Sequence, residues 1–526
     1  MKVKEQVGEA RVDYLSERAE EFRGVEIVDT YLRSYPRGDL AAQLLGYVGE
    51  ISAPQLKALK GEGYHLGDVI GQAGVESRYD TYLRGTPGVD RLRVDSLGRP
   101  LSNFEPIVPP HAGNALRLTI DLKLQTAAEE ALRYGIQAAH DDGCYGCWAA
   151  NGGAIVALDP RDGSIRALAS YPTYDPSLYV GRVRQQELDA AGLTARTARE
   201  ANFPVLDRAI DASYPPGSTF KPMTALAAME EHLVEPYSTL PCTGSYEVAG
   251  QTFLNWDPGA NSQMTMPTAL AASCDTYFYQ LGYRFYGMQG VARLQKWASR
   301  FGFGAPSGID LSPEQTGLLP TPKWRKRTFT KKSDRCCWQI DKLWKPGDSI
   351  QLAIGQKDLL VTPMQMARFY AAIANGGRLV LPHVLADVEL PASNGRPGKV
   401  LPTPPAPAPE STGVDARALD VVRQGLYEAT HSSVGTSSAI FGGFPLSIAG
   451  KTGTAEKVID PGDGYPRNFD QSWWCGYGPT NDPQLVVCAL IENGGHGGAA
   501  AAPAAAKVFE QYFHVKIGNT TALHSD

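Results

Sequence analysis

Apolar residues alternate with polar ones in some segments of the chain and recur at helical spacing in others. The run LRLTI (116–120) alternates as a strand does, and Asp121 after it is suited to cap a helix that continues to about Ala139. In the segment 152–170, two alternating runs flank an Asp-Pro-Arg-Asp-Gly turn, which predicts a β-hairpin. Near the end of the chain, QLVVCALIEN (484–493) predicts another strand, and the Ala-rich stretch after it predicts a closing helix.

These elements place pieces of sheet at both ends of a long segment with helical material between them, a pattern typical of one large α+β domain. The turn-rich PPHAGN cluster marks a boundary before this domain, and the residues that precede it hold little that looks catalytic. We therefore predict an α+β fold with an N-terminal domain, a larger second domain that carries a proline-rich surface insertion, and a tail. The predicted ranges are 1–112 and 113–515 for the domains, 391–411 for the insertion and 516–526 for the tail.

Length and composition narrow the classes of function. A chain of 526 residues with 43% hydrophobic positions is long enough for two or three domains and too apolar to be largely disordered. Its 50 basic and 56 acidic residues give a net charge of -6, so no chain-wide basic field exists to bind nucleic acid. No run approaches the roughly 18 consecutive apolar residues that span a bilayer, and the charged first residues contain no signal core. We expect neither anchor nor secretion signal in this chain.

The eight cysteines admit more than one interpretation. The CxxC spacing at 144–147 resembles half of a zinc or redox site, but no second pair follows at ligand spacing, so we predict no metal and no cofactor. In an oxidising compartment, a disulfide between this segment and the vicinal pair at 336–337 is the alternative. Cys475 and Cys488 lie in strand-like apolar runs, where a thiol is usually a small buried apolar group.

The stretch SYPPGSTFKPM contains a candidate nucleophile. Ser218 and Lys221 are three residues apart, so they share one face of the helix that starts after the Pro-Pro-Gly turn. A serine hydroxyl becomes a nucleophile when a neighbouring base takes its proton, and a neutral amine can be that base. Unpaired N–H groups at the helix start lie where an oxyanion would form. Ordinary helix capping is the alternative, because this spacing alone is common by chance.

Two further segments add polar groups in a fixed order along the chain. One supplies a hydroxyl and a carboxylate two residues apart, and the other supplies a lysine, two threonines and a glycine at the end of a strand predicted over 444–450. These candidate residues are Ser273, Asp275, Lys451, Thr452, Gly453 and Thr454. Gly453 removes a side chain where a substrate backbone could lie against the strand. The alternatives are a helix cap for the first segment and a plain turn for the second.

In this order, the three segments resemble the S-x-x-K, S-x-N or S-x-D, and K-T-G motifs of the penicillin-binding proteins. Other stretches similar to class B members of that family are DVIGQAGVESRYDTYLRGTPG, TIDLKLQ, ALDPRDGSIRALASYPTYDP, GDSIQLAIGQKDLLVTPMQMA and GYGPTNDPQLVVCALIENGG, which with the motifs cover most of the chain from about 30 to 510. The chain is identified as a class B peptidoglycan D,D-transpeptidase. The resemblance implies an N-terminal pedestal domain and a penicillin-binding/β-lactamase-like transpeptidase domain with an antiparallel sheet flanked by helices.

Asp275, where class B enzymes more commonly have Asn, is similar to the elongation-type penicillin-binding protein 2 group. The segment RSYPRGDLAAQLLGYVGEIS fits that group, and the division-type enzyme, which usually carries Asn, is the alternative. Some elongation-type relatives bind zinc between the first two motifs through Asp, His and Cys. Between 222 and 272 this chain offers only His232, Cys242 and Asp257, too few for such a site, so we predict none.

The resemblance also implies a substrate and a mechanism. The substrate is a peptidoglycan stem peptide ending in D-Ala-D-Ala, which Ser218 attacks with Lys221 as the base, and an amine of a second stem peptide then takes the acyl group. Ser273 relays a proton towards the leaving amine. The carboxylate of the substrate is bound by Lys451, Thr452 and Thr454, and the N–H groups of Ser218 and Thr454 form the oxyanion hole. Lys451 nearby favours a neutral Lys221 and Asp275 opposes it.

Two other classes of penicillin-interacting protein share part of these motifs. A serine β-lactamase has the first and third, but this chain lacks a Glu-x-x-Leu-Asn segment and has a large N-terminal domain. A β-lactam sensor would carry transmembrane and signalling segments. The resemblance further implies inhibition by β-lactams and a membrane glycosyltransferase of the shape, elongation, division and sporulation family as partner. It places the protein outside the cytoplasmic membrane, held by an N-terminal helix that we expect to be missing from this chain through truncation or an engineered start.

Two charged segments remain outside these motifs. Residues 323–345 hold nine basic residues against two acidic ones, with three tryptophans interleaved. We expect a solvated loop near the active site, and binding to anionic cell-wall or lipid components is the alternative. The segment GVESRYDTYLRG (74–85) is either an internal salt-bridged junction or a contact surface.

Overall fold

The fold was analysed on a computed structural model of the chain. It describes residues 7–22, 24, 25, 27, 31–96, 105–288, 292–392, 398–401, 407–459 and 467–516. Its helices are α1 (Glu9–Glu17), α2 (Ala42–Leu45), α3 (Ala53–Ala58), α4 (Gly74–Arg78), α5 (Asp80–Leu83), α6 (Leu122–Asp142), α7 (Gln185–Ala190), α8 (Lys221–Glu230), α9 (Met266–Ala271), α10 (Asp275–Gly287), α11 (Arg293–Arg300), α12 (Pro322–Thr328), α13 (Trp338–Asp341), α14 (Pro346–Ala353), α15 (Pro363–Ala374), α16 (Ala416–His431), α17 (Ser438–Phe441) and α18 (Ala501–Phe513). Among the described helices, none combines the length and the apolar character needed to cross a membrane.

The strands of the described residues are mostly short. They are β1 (Val48–Glu50), β2 (Val69–Gly71), β3 (Val89–Arg91), β4 (Glu105–Val108), β5 (Ala115–Leu118), β6 (Gly152–Leu158), β7 (Ile165–Tyr171), β8 (Leu240–Thr243), β9 (Ser245–Val248), β10 (Gln251–Leu254), β11 (Asn261–Met264), β12 (Arg378–Leu379), β13 (Leu385–Glu389), β14 (Val400–Leu401), β15 (Glu410–Ser411), β16 (Ala449–Ala455), β17 (Val458–Ile459), β18 (Arg467–Asn468), β19 (Gln471–Gly478) and β20 (Leu485–Glu492).

The chain divides into two compact units. The first consists of Met1–Asn114 and Thr173–Val205, and the second of Ala115–Pro172 and Leu206–Asp526. The segment 173–205 thus packs with the first unit, although the predicted domain over 113–515 includes it. The predicted domain ranges stay a prediction.

An ion pair and several hydrogen bonds hold the charged segment 74–85 inside the first unit. Glu76 in α4 is buried and accepts a hydrogen bond from Arg33 at 2.7 Å. Burial raises the pKa of Glu76, and the Arg33 guanidinium opposes that shift. Asp80 accepts hydrogen bonds from Tyr64 Oη at 2.6 Å and from Gly71 N at 2.8 Å. These contacts support the internal salt-bridged junction, and the alternative of a contact surface stays a prediction.

A five-stranded antiparallel sheet forms the centre of the second unit, in the order β16-β19-β20-β6-β7. Both faces are buried, since β19 and β20 are buried along nearly their whole length. Helices α6 and α18 pack with Ile155, Val487 and other side chains that share one face. Helix α15 packs against β6, β19 and β20 without joining that cluster, and so covers the other face. Within the described residues β16 pairs with β19 alone, so it ends the sheet, although the strand itself is almost entirely buried.

Several predicted elements are confirmed. Asp121 caps α6 by accepting hydrogen bonds from the N–H groups of Lys123 and Leu124. The hairpin over 152–170 is β6 and β7, and the two C-terminal elements are β20 and α18. The helices were readable because apolar residues at period 3.6 bury one face, and the strands because short apolar runs are bounded by turn residues.

The predicted insertion and tail fall partly outside the described residues. Residues 393–397 and 402–406 of the insertion and 517–526 of the tail are not described. The described part of the insertion contains β14 and β15, which pair with β13 and β12. The proline-rich segment is therefore tied at two points to short sheets of the second unit.

Candidate active site

Ser218 lies in a tight turn whose shape requires glycine. The 3₁₀ turn Gly217–Phe220 leads directly into α8, and Gly217 has a φ of +55°. A β-carbon on Gly217 would lie 2.6 Å from the carbonyl oxygen of Thr454, so only glycine allows this approach. Ser218 is half-buried, whereas both its chain neighbours are buried. The turn therefore presents the serine hydroxyl just before the first residue of α8.

Lys221 joins the first motif to the second. It is the first residue of α8 and is fully buried. Its Nζ donates to Asp275 Oδ1 at 2.7 Å, to the carbonyl oxygen of Ser273 at 2.5 Å and to Ser273 Oγ at 3.1 Å. These three acceptors match the three N–H groups of an ammonium. A buried charge needs such partners, because an unpaired one would be strongly destabilising.

The helix α10 positions Asp275 at its first residue. A carboxylate in the first turn of a helix is stabilised by the helix dipole. Asp275 Oδ2 accepts a hydrogen bond from Trp256 N at 3.0 Å, and the backbone N–H of Asp275 donates to Asn255 Oδ1 at 2.9 Å. Burial and the neighbouring Asp275 carboxylate raise the pKa of Tyr279, whose phenol therefore stays protonated and donates to the carbonyl oxygen of Leu254.

Asn255 and Trp256 also belong to the candidate site, although the sequence did not indicate them. They follow β10 in a short loop, and an Asn-Trp pair before Asp-Pro-Gly indicates a turn and nothing more. The burial of Asn255, which is only 6% exposed, is what sets it apart, and burial of a loop residue is not visible in the sequence.

The third motif lies inside a strand, which corrects the prediction. The strand begins at Ala449, so Lys451 to Thr454 run along β16 and do not follow a strand over 444–450. The error arose because only the last two residues of the apolar run FPLSIAG, Ala449 and Gly450, pair with β19, while the polar motif supplies most of the ladder. Lys451 is fully buried, and its Nζ donates to the carbonyl oxygen of Thr452 at 3.2 Å. Thr452 Oγ1 shares a hydrogen bond of 2.6 Å with Thr436 Oγ1.

Gly453 brings the third motif against the first. A β-carbon on Gly453 would lie 2.9 Å from the carbonyl oxygen of Pro216 and 2.9 Å from Thr219 Cγ2. The glycine is thus required for close packing of β16 on the turn that holds Ser218. We predicted that it makes room for a substrate backbone, and the structure gives it this second reason.

Thr454 follows Gly453 in β16 and lies close to the turn of Ser218. Its side chain is half-buried, and its Oγ1 accepts a hydrogen bond from Gly497 N at 3.4 Å. Its carbonyl oxygen accepts one from Gln356 Nε2 at 3.3 Å. On the neighbouring strand β19, Trp473 lies opposite Gly453, and its Nε1 donates to the carbonyl oxygen of Pro215 at 3.0 Å. This hydrogen bond helps to fix the turn that carries Ser218. The three motifs are therefore neighbours in the second unit, because Lys221 contacts Ser273 and Asp275 while β16 packs on the turn of Ser218.

The cysteine interpretations need correction. Disulfides join Cys144 to Cys147 and Cys336 to Cys337, so the predicted alternative of a bond between the two segments is wrong. Cys475 and Cys488 are not simple buried thiols, because they form a disulfide across directly opposite positions of β19 and β20. Sequence spacing carries no information on such long-range pairs.

Cys242 and Cys274 form a fourth disulfide. Their Cα atoms lie 6.1 Å apart, and the bond joins β8 to the residue between Ser273 and Asp275. Of the three residues considered as zinc ligands, Cys242 is therefore part of a disulfide and offers no thiolate. His232 and Asp257 are the two candidate ligands that remain.

Within the described residues, two groups of side chains have the spacing of a metal site. They are Asp142, Cys144 and Cys147, and Asp334, Cys336 and Cys337. Each pair of cysteines is a cystine here, and a disulfide offers no thiolate ligand.

The basic segment 323–345 is exposed or half-buried at every residue except Arg325, but it differs from the loop that we expected because part of it is helical. It contains α12 and α13, and Arg325 in α12 is only 4% exposed. The Arg325 guanidinium pairs with Asp348 at 3.0 Å and with Asp358 at 3.2 Å. The expectation failed at Arg325 because its acidic partners lie beyond residue 345, so a count of charges within the segment does not include them.

Comparison with known proteins agrees with this geometry. Residues 153–510 match the penicillin binding protein transpeptidase domain, and residues 1–118 match the penicillin-binding protein dimerisation domain. The peptidoglycan D,D-transpeptidase MrdA of Acinetobacter baumannii is 32% identical over 509 residues, which cover 95% of this chain and 69% of the relative. This chain belongs to the penicillin-binding protein family.

Solved structures of penicillin-binding proteins share the fold. Penicillin-binding protein 2 of Helicobacter pylori, solved in a complex with MreC, has a TM-score of 0.76 and 26% identity over 97% of this chain and 84% of its own. A chain of a peptidoglycan synthase complex has a TM-score of 0.72 and 33% identity over 97% of this chain and 81% of its own. The protein is an elongation-type, serine-type peptidoglycan D,D-transpeptidase with a pedestal and a transpeptidase domain. The division-type, β-lactamase and sensor alternatives are not favoured.

Proposed function

We propose that Ser218 is the nucleophile and Lys221 the base of this penicillin-binding protein. The observation that carries the proposal is the position of Lys221 Nζ, which contacts both Ser273 and Asp275 while β16 packs on the turn of Ser218. Ser218 Oγ attacks the penultimate carbonyl of a stem peptide that ends in D-Ala-D-Ala. Lys221, which becomes a neutral amine once it has released one ammonium proton to water, takes the Ser218 proton, and the acyl-enzyme ester forms as the amide C–N bond to D-Ala breaks.

Ser273 is proposed to relay the proton. Its Oγ lies 3.1 Å from Lys221 Nζ, so a proton on the lysine can pass through this hydroxyl to the amine of the departing D-Ala. The amine of a second stem peptide then attacks the ester, loses a proton to the same groups and regenerates Ser218. The two half-reactions therefore use one proton path in opposite directions.

The edge strand β16 is proposed to bind the donor peptide. Lys451 is a buried cation, and with the hydroxyl groups of Thr452 and Thr454 it suits the terminal carboxylate of the substrate. Gly453 lets the backbone of β16 lie close to the nucleophile. The N–H groups of Ser218 and Thr454 would stabilise the oxyanion, and loss of one such donor typically costs about 2.7–4 kcal/mol in the transition state.

Labelling by a fluorescent penicillin tests the assignment, because a β-lactam acylates the same serine. Ser218→Ala is expected to lose all covalent labelling while its melting temperature stays near that of the unaltered enzyme. Ser238→Ala, which alters an exposed serine outside the three motifs, is the matched control and is expected to label normally. Labelling of Ser218→Ala at another serine would contradict the proposal.

The pedestal is proposed to dock a membrane glycosyltransferase of the shape, elongation, division and sporulation family. Support comes from residues 1–118, which match a dimerisation domain, and from the similar chain in the peptidoglycan synthase complex, which combines polymerisation and crosslinking. Co-purification with such a glycosyltransferase tests this proposal. A chain from Ala115 onward that still binds it would contradict a role for the pedestal.

We propose that the enzyme works outside the cytoplasmic membrane, where peptidoglycan is crosslinked. The buried disulfide between Cys242 and Cys274 supports this location, because structural disulfides persist in oxidising compartments. Protease accessibility in intact spheroplasts tests the location. Protection of the enzyme under conditions that digest a known outer-face protein would contradict it.

A further inference from the structure

The backbone of Ser273 adopts a conformation that its surroundings have to maintain. Its φ is +55°, in the left-handed region that non-glycine residues rarely adopt, and the residue is fully buried. Its carbonyl oxygen and hydroxyl both accept from Lys221. A residue in this region persists only where neighbouring structure fixes it. The next residue in the chain, Cys274, shows what that structure is.

A disulfide attaches Cys274 to β8. Cys242 and Cys274 are each 1% exposed and 32 positions apart in sequence. The neighbouring residues reinforce the junction, because Thr243 N donates to Thr276 Oγ1 at 2.9 Å and Thr276 Oγ1 donates to the carbonyl oxygen of Thr243 at 2.9 Å. The second motif is thus joined by one covalent bond and two hydrogen bonds to a strand outside the motif.

Asn255 extends the junction to the carboxylate. Its Oδ1 accepts from Asp275 N at 2.9 Å, and its Nδ2 approaches Cys242 Sγ at 3.8 Å and donates to the carbonyl oxygen of Asp257 at 3.2 Å. The following residue, Trp256, donates from its backbone to Asp275 Oδ2. With its N–H and Oδ2 both held, Asp275 directs Oδ1 at Lys221 Nζ.

We propose that the Cys242–Cys274 disulfide and Asn255 are positioning residues for the acylation step. They hold Ser273 and Asp275 where these residues orient Lys221, and they touch neither substrate nor nucleophile. Opening the disulfide releases the backbone of Cys274 from β8, and Oδ1 of Asp275 then loses its fixed distance to the lysine. Binding of the substrate carboxylate involves Lys451, Thr452 and Thr454 on β16, so it does not depend on this junction.

The separation of binding from acylation gives the test. Time courses of labelling at several concentrations of a fluorescent penicillin yield two quantities. One is the dissociation constant K of the non-covalent complex, and the other is the rate constant k2 of acylation. Cys242→Ala, Cys274→Ala and the double variant are each expected to lower k2 at least tenfold, by the same factor, and to change K by less than twofold. Equal factors are expected because all three variants lose the same bond. Cys336→Ser/Cys337→Ser removes an exposed disulfide and is expected to keep both constants.

Two further measurements keep a role in folding apart from a role in positioning. Asn255→Leu is expected to lower k2 and leave K unchanged, although every disulfide remains. Dithiothreitol converts the cystine into two thiols and is itself oxidised. This reduction of the unaltered enzyme should lower k2, and reoxidation should restore it. An unchanged k2 in the double variant would overturn the proposal. If the double variant both binds the penicillin more weakly and acylates more slowly, and its melting transition is broadened, the disulfide has a role in the fold and the proposal is overturned.

This inference rests on the roles proposed for Lys221 and Asp275, and the two can fail separately. If Lys221→Met acylates normally, Lys221 is not the base, and the positioning proposal fails with it because there is no base to orient. If Lys221→Met is inactive while Cys242→Ala/Cys274→Ala acylates at the normal rate, the base stands and only the positioning proposal fails.

Discussion

Gly453 in β16 lies so close to Pro216 that a β-carbon on the glycine would come within 2.9 Å of the proline carbonyl oxygen. That oxygen belongs to the backbone, so it cannot rotate away as the end of a side chain could. The strand that is proposed to bind the substrate and the turn that carries the proposed nucleophile are therefore in direct van der Waals contact.

Gly453→Ala is expected to reduce the acylation rate by a fluorescent penicillin at least a hundredfold. The added methyl group separates β16 from the turn, and a displacement of about 1 Å can cost 10²-fold in rate. Gly443→Ala is the matched control, because a β-carbon there meets nothing within 4 Å. Normal acylation of Gly453→Ala would show that the contact between strand and turn is dispensable.

Lys221→Met is expected to abolish acylation nearly as completely as Ser218→Ala, since a nucleophile and its base act as a unit. It also leaves the partly buried Asp275 carboxylate without its cation, which costs about 3–5 kcal/mol in free energy of unfolding. Urea denaturation measures that loss. In Lys357→Met, the lost lysine is half-exposed and Asp348 keeps Arg325 as its cation, so the expected change is about 0–1 kcal/mol. Equal losses in the two variants would contradict the argument.

Arg325→Leu is expected to lower the free energy of unfolding by about 3–5 kcal/mol, because it removes a buried cation from Asp348 and Asp358. Arg327→Leu alters an exposed residue of the same helix and is expected to stay within about 0.5 kcal/mol. Denaturant titration of both variants decides whether the basic segment is structural at Arg325. A solvated loop would give two small and equal effects.

Asp207→Asn is expected to change the pH dependence of stability. Burial raises the pKa of Asp207 to about 6, while hydrogen bonds from Ser170 Oγ and Ala209 N oppose that shift. In the unfolded chain an aspartate titrates near about 3.9, so the native state binds the proton more tightly. The contribution of Asp207 to stability is therefore complete below about pH 4 and is lost as the pH rises through 6.

The asparagine variant removes this titration and keeps an oxygen for both donors. Its free energy of unfolding relative to the unaltered enzyme is expected to rise between pH 4.5 and pH 7.5. Asp420→Asn, at an exposed carboxylate, is the control and should show no such trend. A constant difference between Asp207→Asn and the unaltered enzyme over this range would contradict the raised pKa.

The sequence predicted the second unit better than the site within it. The hairpin of β6 and β7 and the helices α6 and α18 follow from periodicity and capping, because their partners are near in sequence or their apolar faces are unmistakable. The candidate residues were found through the order of three short motifs. What periodicity could not show is that Lys451 to Thr454 form a strand, since this segment is polar and its pairing is with β19.

The partners of Asp275 could not be predicted either. Asn255 and Trp256 reach Asp275 across 20 and 19 positions, and Cys242 reaches Cys274 across 32. Such contacts depend on how the segment from β8 to β11 folds back on α10, which no local pattern encodes. The same reason explains Arg325, whose acidic partners lie 23 and 33 positions away.

The position of β16 at the end of the sheet has a consequence for drug design. A compound that forms hydrogen bonds with the main chain of this strand uses atoms that every amino acid carries, so exchange of a side chain does not remove them. The two glycines that bring Thr454 and the Ser218 turn together tolerate no larger residue. Resistance to such a compound would therefore have to arise from changes that move the strand itself or that alter residues beyond it.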